Sequence, residues 1–462
     1  MDVEENALRE KRKQLNIVPS YKMVDTCAGE FTASTAYYYS SWAGESDVSP
    51  LSNKKKILIV GSGPIRIGQG IEFDYCSVHG AHSLHRLGYE AIIMNNNPET
   101  VSTDYATADR LYFEPITVED VLHVAELEQV EGVIVQLGGQ TAISLAEGLE
   151  KAGLVLYGTK QQTIDQLEDR GHFYRFMNEV DVPHIPGQTA NNEADAVGQA
   201  EEIGFPVLIR PSYVIGGQGM VIFSSKEELV NYMNDHRNEV AFPLLIDAYY
   251  PGTELEVDAL TDGKDVFIAG IFEHIEKAGV HSGDSIAVTP PVSLQDDVKQ
   301  VIWDYTIKVA RGMDFKGVFN IQFVLFEGEL FVIEINPRAS RTVPIFSKVT
   351  NRPLIDYTVQ LLLGAALPSL GISAGFAEET AFYTVKAPVF SYQKLSGVDP
   401  LLEAEMKSTG ELISISNELP EAYYKAFAWE KRKCLLFIKG RGPYLSMQMR
   451  VSLSCFYRML KL

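Results

Sequence analysis

The sequence predicts an α/β protein in which a parallel-sheet domain is followed by an α+β domain. Between residues 54 and 160, short apolar strands such as KKKILIVGSGP and GVIVQLGG alternate with polar or amphipathic stretches. This alternation is typical of βαβ units around a parallel sheet. From about residue 170, strands come in neighbouring pairs such as NIQFVLFEGELFVIEINP, which indicates antiparallel hairpins. The 462 residues suffice for two to four domains of roughly 100–200 residues each.

Further segments flank these two regions. Residues 1–19 are predicted to form a short charged helix that ends at Pro19, and residues 28–53, rich in Ser, Gly, Tyr and Ala, are interpreted as a linker. Residues 368–427 are predicted to be a smaller α+β segment. Residues 428–462 carry eight basic side chains against one acidic side chain. This tail is either a basic element that packs on an acidic body or the product of a change of reading frame.

The composition excludes several classes of protein. A net charge of −21 argues against a nucleic-acid binder, which needs a basic surface. No apolar run approaches the roughly 18 residues of a membrane helix, and the charged start MDVEENALREKRKQL lacks the apolar part of a secretory signal. The four cysteines are scattered without metal-ligand spacing, which fits a reducing compartment. We therefore expect a cytoplasmic protein that binds neither nucleic acid nor membrane.

A glycine-rich loop, GSGPIRIGQG at residues 61–70, follows the first strand of the parallel region. A Rossmann dinucleotide fingerprint needs glycine at the first, third and sixth positions of this loop. Gly61 and Gly63 fit, but Arg66 occupies the sixth position, and the next strand ends in the asparagines 95–97 rather than in an acidic residue. The sequence predicts a Rossmann-like domain with a plain strand–loop–helix turn, and a dinucleotide site is the less favoured alternative.

The segment LFVIEINPRASRT, residues 330–342, combines an apolar strand with polar side chains at every second position. Alternate residues of a strand share one face, so Glu334, Asn336 and Arg338 are expected to point the same way. The register of the hairpin follows from keeping polar and apolar side chains on separate faces. A two-residue turn would place Gln322 opposite an isoleucine and mix the two kinds.

A three-residue loop with Gly328 in the left-handed conformation instead pairs Gln322 with Glu334 and leaves the reverse face apolar. The other pairs expected from this loop are Asn320–Asn336, Phe326–Leu330, Ile321–Ile335, Phe323–Ile333 and Leu325–Phe331.

The converging oxygen atoms of Gln322, Glu334 and Asn336 predict a magnesium site. Mg²⁺ is a hard cation that proteins usually bind through one or two carboxylates shared with substrate phosphates. Arg338 and Arg341 follow immediately and would meet anionic ligands. The alternative is a hydrogen-bonded polar patch at a sheet edge.

Two loops carry weaker signals. The segment LIRPSYVIGGQGM, 208–220, places Arg210 on a strand before a run of glycines whose amides could close over phosphates, although an ordinary glycine hairpin is the alternative. It lacks the GK[ST] of a P-loop. The segment EHIEKAGVHSGDS, 273–285, is a polar loop that holds His281 and Ser282, and a lone loop histidine is more often structural than catalytic.

Together, these motifs resemble the ATP-grasp family. More closely, IVGSGPIRIGQGIEFDYC, NNNPETVSTDY, QLGGQTA, RPSYVIGG, EHIEKAGVHSGDS and EINPRASRTVPIFSK resemble the carboxy-terminal synthetase half of carbamoyl-phosphate synthetase large subunits. Residues 1–53, with VPSYKMVDTCAGEF, resemble the end of the oligomerisation domain that precedes this half, plus a linker. The resemblance implies a Rossmann-like pre-ATP-grasp domain at 54–169 and an α+β ATP-grasp nucleotide-binding domain at 170–367.

The resemblance also implies an activity, the phosphorylation of carbamate by ATP with Mg²⁺ or Mn²⁺ to give carbamoyl phosphate. The residues implied to bind the nucleotide are Arg170, Arg210, Ala248, Tyr250, Glu254, Gly279, Val280, His281, Ser282, Gln322 and Glu334. The residues implied to hold the metal are Gln322, Glu334 and Asn336. Arg338, which would meet the transferring group, and His281, in the loop that closes on the nucleotide and carbamate, are the implied catalytic residues.

The chain also departs from this family. The first synthetase half, which makes carbamate from bicarbonate and ammonia, and the allosteric domain are missing, and the resemblance ends near Ala428. The implied partners are a glutamine amidotransferase small subunit, a separate first synthetase half, or both, in pyrimidine or arginine biosynthesis. Two alternatives stay open: a truncated, catalytically silent nucleotide-binding remnant, and another ATP-grasp carboxylate ligase.

Overall fold

The computed structural model describes residues 5–32, 35–42, 44–48, 52–211, 219–236, 240–392 and 401–437, with only the backbone described for 5–6 and 429–437. The glycines at 216 and 217, which the sequence suggests as a phosphate-covering loop, lie outside the described residues, as does the predicted tail beyond residue 437.

The first sheet has six strands in the order β1-β2-β5-β4-β3-β6. Strands β2 to β6 run parallel, and β1 joins antiparallel to β2. The strands are β1 (Ser20–Met23), β2 (Tyr37–Ser41), β3 (Lys56–Val60), β4 (Glu90–Asn95), β5 (Arg110–Phe113) and β6 (Gly132–Ile134). The predicted parallel sheet is confirmed. The linker interpretation of residues 28–53 is wrong for β2, because this strand hydrogen-bonds to β5 and extends the sheet.

The helices of this region precede the first sheet, connect its strands and follow its last strand. They are α1 (Glu5–Gln14), α2 (Ile71–Arg86), α3 (Val118–Glu128), α4 (Gly139–Ile143), α5 (Ala146–Lys151) and α6 (Gln161–Glu168), with a 3₁₀ turn at Val101–Thr103. The glycine loop before α2 is closed by Asn95, whose Oδ1 accepts from the Gly63 amide at 3.1 Å and the Asn96 amide at 2.9 Å. The Gly63 amide of the loop is therefore already bonded to the end of β4.

A second, smaller sheet follows in the order β7-β10-β8-β9, with all neighbours antiparallel. Its strands are β7 (Gly187–Ala190), β8 (Val207–Pro211), β9 (Val221–Phe223) and β10 (Leu244–Ala248), and its helices are α7 (Arg170–Glu179), α8 (Glu193–Ile203) and α9 (Lys226–Asp235). Asn192 and Ser225 cap α8 and α9 by accepting from the backbone amide three residues on, which fixes where each helix begins.

The third sheet has eight strands, seven of them in the order β15-β14-β11-β12-β13-β17-β18, with β16 paired to β12. The strands are β11 (Thr253–Thr261), β12 (Val266–Lys277), β13 (Ala287–Thr289), β14 (Gly317–Phe326), β15 (Glu329–Asn336), β16 (Gly375–Phe376), β17 (Tyr383–Val389) and β18 (Gly410–Ser416). The helices are α10 (Asp296–Gly312), α11 (Val343–Val349), α12 (Leu354–Leu362) and α13 (Leu419–Phe437), with a 3₁₀ turn at Leu367–Leu370. Strands β17 and β18 of the 368–427 segment thus belong to the large sheet.

The two faces of the large sheet differ in chemistry. On one face, Leu255, Val257 and Ile321 are buried in an apolar core that includes Phe176 of α7 and Ile302 of α10. Because side chains alternate along a strand, the residues between them point to the opposite face, and these are mostly polar. That polar face is where the candidate site lies. None of the helices within the described ranges combines the length and the apolar character needed to span a membrane.

Candidate active site

A polar ladder crosses three neighbouring strands of the large sheet. In one row, Gln322 of β14 lies between Glu256 of β11 and Glu334 of β15. In the next row, Asn320 lies between Asp258 and Asn336. Directly paired residues of antiparallel strands point to the same face, so carboxylates and amides converge there.

The predicted Gln322–Glu334, Asn320–Asn336 and Ile321–Ile335 pairs are confirmed, but the predicted loop is wrong. The turn has two residues, Glu327 and Gly328, with φ of 52° and 87°, as in a type I′ hairpin. The pairs nearest the turn are therefore Phe326–Glu329, Leu325–Leu330, Val324–Phe331 and Phe323–Val332.

These pairs replace the expected Phe326–Leu330, Leu325–Phe331 and Phe323–Ile333. An irregularity between Phe323 and Gln322 leaves Ile333 without a partner on β14. This bulge adds the residue that the turn lacks, since a bulge sets two residues against one. It therefore restores Glu334 to its place opposite Gln322.

The buried end of the ladder is a hydrogen-bonded network. Asn320 Nδ2 donates to Glu256 Oε1 and to Asp258 Oδ1, at 3.0 Å each. The Ser340 hydroxyl donates to Asp258 Oδ1 at 2.6 Å, and the Thr342 hydroxyl donates to its other oxygen. Burial, reinforced by the neighbouring Glu256, raises the pKa of Asp258 to about 7. This pair of acids therefore holds a proton near neutral pH.

His274 of β12 lies between two buried glutamates of β11. Its Nε2 is 3.7 Å from Glu256 Oε2, and its Nδ1 is 4.0 Å from Glu254 Oε1. Burial raises the pKa of Glu254 to about 7, although the histidine acts in the opposite direction. Both distances are too long for hydrogen bonds.

Glu334 is bonded to its own strand neighbour. Asn336 Nδ2 donates to Glu334 Oε1 at 2.9 Å, and Asn336 Oδ1 accepts from Arg338 Nη2 at 3.0 Å. Glu334 also attracts the charges of Arg170 and Arg210 and repels that of Glu254. The carboxylate is therefore the point at which the predicted nucleotide and metal residues meet.

Arg170 and Arg210 share one acidic partner, Asp247 at the end of β10. Arg170 Nη2 donates to Asp247 Oδ2 at 3.3 Å, and Arg210 Nε lies 3.8 Å from the same oxygen. Tyr174 donates to the other oxygen at 2.8 Å. Burial, followed by the charge of Arg170, lowers the pKa of Arg210, whose Nε is buried without a hydrogen-bond partner. Two guanidinium groups with one carboxylate between them leave positive charge for an anionic ligand.

The loop after β12, Gly279 to Ser282, lies against the ladder. Gln322 Nε2 donates to the Ser282 hydroxyl at 3.4 Å, and the buried Lys386 of β17 donates to the Ser282 carbonyl at 2.7 Å. Gly279 has a φ of +104°, and a Cβ there would come within 2.7 Å of the Tyr249 ring. The loop conformation therefore requires glycine at this position.

The segment before β18 also holds this loop through hydrogen bonds. Asp284 is fully buried and accepts from the amides of Lys407 at 2.7 Å and Ser408 at 2.9 Å. The His281 amide donates to the Glu403 carbonyl at 2.9 Å. Residues 403–408 thus fix the position of the loop relative to the large sheet.

His281 is held as a neutral imidazole. Burial lowers its pKa well below the usual range, and the positive charges of Arg341 and Lys386 lower it further. Nδ1 accepts from the Gly283 amide at 3.0 Å, so the proton of the neutral ring sits on Nε2. In this state the ring is a hydrogen-bond donor through Nε2.

An apolar cluster of side chains lies between the small sheet and the hairpin. Ala248, Ala278 and Val324 are buried in one cluster, and Tyr250 packs against it. The Tyr250 ring stacks on Phe326 at 5.0 Å between centroids, close to the turn of the hairpin. The cluster therefore lies next to the charged groups around Asp247, which directly precedes Ala248.

The structure thus brings the predicted site residues to one region. Sequence reasoning missed Glu256, Asp258, His274 and Lys386 as members of the site. The segment TELEVDALT carries the signal for the first two, because Glu254, Glu256 and Asp258 alternate along an otherwise apolar strand. The lysine carries no local signal, since only the sheet order places it under the loop.

The donor set fits a metal that is shared with a ligand. Within the described ranges, no group of three or more His, Cys, Asp or Glu side chains could hold an ion by itself. Glu334 offers a carboxylate, and the Gln322 oxygen is left open because its nitrogen faces Ser282. The Asn336 oxygen already accepts from Arg338. One carboxylate and one or two amide oxygens suit Mg²⁺, which completes its shell with water and phosphate oxygens.

Comparison with known proteins identifies the family. Residues 53–166 match the carbamoyl phosphate synthase preATP-grasp domain, and residues 169–370 match the carbamoyl-phosphate synthase L chain, ATP binding domain. The chain is 64% identical over 436 residues to a carbamoyl phosphate synthase arginine-specific large chain of Halalkalibacterium halodurans, covering 94% of this chain and 42% of that protein. A protein of the same name from Geobacillus stearothermophilus is 54% identical over 426 residues, covering 92% of this chain and 41% of that protein. The chain thus spans about two fifths of the length of these curated relatives.

Solved structures share the fold at low sequence identity. The biotin carboxylase domain of Hydrogenobacter thermophilus 2-oxoglutarate carboxylase aligns with a TM-score of 0.60 at 19% identity, over 79% of this chain and 86% of that one. N5-carboxyaminoimidazole ribonucleotide synthetase of Thermotoga maritima aligns with a TM-score of 0.60 at 14% identity, over 82% of this chain and 98% of that one. The predicted α/β architecture, a parallel-sheet domain followed by an ATP-grasp domain, is confirmed. The chain therefore belongs to the ATP-grasp family of carbamoyl phosphate synthase large chains.

Proposed function

We propose that this chain phosphorylates carbamate with ATP to form carbamoyl phosphate, as the carboxy-terminal synthetase half of a large chain. The observation that carries the proposal is the convergence on Glu334. This carboxylate interacts with Arg170, Arg210 and Arg338 and faces Gln322 across the hairpin. A site for two anions, a nucleoside triphosphate and a carbamate, needs such an arrangement of positive charge around a metal-binding acid.

For the nucleotide, we propose that the segment of Ala248 and Tyr250 takes the adenine, since its cluster is apolar and Tyr250 offers a flat ring. Glu254 would accept from the ribose hydroxyls. Arg170 and Arg210 would contact the phosphates, which is supported by the positive charge that remains after they share Asp247. The loop Gly279, Val280, His281 and Ser282 would close over the phosphates and the carbamate.

For the metal, we propose that Gln322, Glu334 and Asn336 bind Mg²⁺ or Mn²⁺ together with the phosphates. A divalent ion there would neutralise negative charge on the transferring phosphoryl group. The open Gln322 oxygen and the carboxylate support this assignment, and the Asn336 oxygen would accept from Arg338 and the ion at once. Both hard cations prefer such oxygen donors.

For the transfer, we propose that Arg338 and His281 stabilise the charge that develops between carbamate and the γ-phosphate. Arg338 keeps its charge, and the neutral His281 offers its Nε2 proton as a hydrogen-bond donor. The two substrates repel each other, so positioning and charge neutralisation are the main tasks of the protein. A closed loop would also exclude water, which destroys both carbamate and its phosphorylated product.

We further propose that the carbamate is made from bicarbonate and ammonia, and that the partners of the chain are a glutamine amidotransferase small subunit, which would release the ammonia, a separate first synthetase half, which would form the carbamate, or both. The product would serve arginine biosynthesis, because both curated relatives are arginine-specific large chains. This part of the proposal rests on those relatives, of which the chain covers about two fifths.

The test is the formation of ATP from MgADP and carbamoyl phosphate, which needs only this half of the chemistry. We expect the purified chain to make ATP and the Glu334→Ala variant to make almost none. ATP formation from another acyl phosphate, but not from carbamoyl phosphate, would indicate a different ATP-grasp ligase. The absence of ATP formation, with nucleotide binding retained, would indicate a catalytically silent remnant.

A further inference from the structure

We propose that Gln140, oriented by Glu168, is a positioning residue that holds Arg338 in place. The inference rests on the proposed function and adds residues from outside the hairpin to it. Gln140 Oε1 accepts from Arg338 Nε at 3.3 Å, and Gln140 Nε2 donates to Glu168 Oε1 at 2.8 Å. The two supporting side chains come from α4 and α6, whereas Arg338 follows β15.

The motif QLGGQTA places Gln140 where it can reach the arginine. Gly139 has a φ of +65°, and a Cβ there would lie 3.1 Å from the Phe73 ring. A Cβ on Gly138 would come within 2.3 Å of the Val60 carbonyl oxygen. Only glycine fits at both positions, so the pair lets the start of α4 pack directly on the end of β3. Gln140 is the first side chain after this close approach.

The amide of Gln140 has one productive orientation. Its oxygen faces a guanidinium, which can only donate, and its nitrogen faces a carboxylate, which can only accept. The reversed amide would set donor against donor at Arg338 and acceptor against acceptor at Glu168. Glu168 therefore fixes which end of Gln140 meets Arg338.

Gln140 completes the set of acceptors around the arginine. Nε donates to Gln140, Nη1 donates to the Ala339 carbonyl at 3.2 Å, and Nη2 donates to Asn336 at 3.0 Å. The guanidinium also lies over the Phe73 ring at 5.7 Å. A guanidinium has five N–H bonds in a fixed plane, so three acceptors leave two N–H groups with defined directions. Those two would meet the transferring phosphoryl group.

The test compares Gln140→Ala and Gln140→Met with the wild type in ATP formation from MgADP and carbamoyl phosphate. Methionine keeps the length of the side chain but neither accepts from Arg338 nor donates to Glu168. We expect both variants to lower kcat by about tenfold, with KM for MgADP changed less than twofold, because Arg338 acts mainly during transfer. Gln161→Ala, which removes a half-buried glutamine bonded to Asp165 on α6, is the matched control and should keep full activity.

The double variant Gln140→Ala with Arg338→Ala separates positioning from a general structural effect. If Gln140 acts through Arg338, the double variant is no slower than Arg338→Ala alone. Additive losses, a wild-type rate in Gln140→Met, or a change confined to KM would overturn the inference while the proposed function stands. A wild-type chain that forms no ATP would overturn the proposed function and this inference with it.

Discussion

Glu334 faces Gln322 across the hairpin although the turn between their strands is one residue shorter than the sequence pattern suggests. The two-residue turn at Glu327 and Gly328 by itself would put Ile333 opposite Gln322. The bulge at Ile333 shifts the strand by one residue and turns Glu334 onto the polar face. The position of the site carboxylate thus depends on an irregularity in the middle of a strand.

The turn itself provides the first prediction. Glu327 adopts a φ of 52°, which is unfavourable for a residue of its kind and acceptable for asparagine. We expect Glu327→Asn to stabilise the protein by about 0.5–1 kcal/mol, measured as the free energy of unfolding in denaturant. Glu329→Asn, at the exposed first residue of β15, is the control and should give no gain. Equal shifts in both variants would contradict the assignment of strain to Glu327.

The second prediction concerns Glu334. It is the single carboxylate among the three proposed metal ligands, and amides alone bind Mg²⁺ poorly. We expect Glu334→Ala and Glu334→Gln to weaken MgADP binding, measured by calorimetry, and to lower turnover by about 100-fold or more. Binding of ADP without metal should change much less. Wild-type turnover in either variant would make Glu334 a structural residue.

The third prediction separates Arg338 from Arg210. The acceptors around Arg338 hold it beside Asn336 at the proposed metal site, while Arg210 shares Asp247 with Arg170 beside the apolar cluster of Ala248 and Tyr250. We expect Arg338→Ala to lower kcat with little change in nucleotide affinity, because an interaction made in the transition state affects the rate. Arg210→Ala should instead weaken nucleotide binding. Comparable losses of affinity in the two variants would refute this division.

The fourth prediction uses the pKa of Asp258. Burial raises this pKa to about 7 in the folded protein, above its ordinary value of 3.8. The folded state then binds more protons than the unfolded state between these values, so stability is lost as pH rises towards and through 7. We expect the melting temperature of the wild type to fall relative to that of Asp258→Asn between pH 5 and pH 8. The free energy of unfolding should change by no more than roughly 1.4 kcal/mol per pH unit, the limit for a single titrating group.

Asp262, on the loop after β11, is a control of opposite sign. Partial burial opposes the shift, but bonds from the amides of Asp265, Leu367 and Lys264 outweigh it, so the pKa of Asp262 is lowered. Its contribution to stability is present above the unfolded pKa and is lost as pH falls through the folded pKa. Asp262→Asn should therefore remove stability at neutral pH and little in acid. If stability depended on pH in the same way in Asp258→Asn and Asp262→Asn, the electrostatic explanation would be contradicted.

The fifth prediction addresses the basic tail. Helix α13 runs from Leu419 to Phe437 and so passes the point near residue 428 where the family resemblance ends. Before that point, Ala422, Tyr423 and Ala426 of this helix are buried in one apolar cluster. If the tail results from a change of reading frame, truncation after residue 427 should shift the melting temperature by only a few degrees, as ~1 kcal/mol moves a large domain by ~2–4 °C. Unfolding or loss of nucleotide binding would show that the tail is a structural element.

Local patterns in the sequence determined the elements and the identity of the site strands. The alternation of apolar and polar residues predicted the parallel sheet, and Glu334, Asn336 and Arg338 at every second position predicted the polar face of β15. These patterns can be seen in sequence because strand side chains alternate whatever lies around them. The motifs also indicated the family, which the comparisons confirm.

Only the tertiary structure decided how those strands are registered and what completes the site. A bulge depends on twist and packing, so the two-residue turn and the shift at Ile333 could not be deduced from the hairpin sequence. Lys386 reaches Ser282, and Gln140 reaches Arg338, across more than one hundred residues of chain. Such contacts arise from sheet order and domain packing, which bring together side chains that no local sequence pattern links.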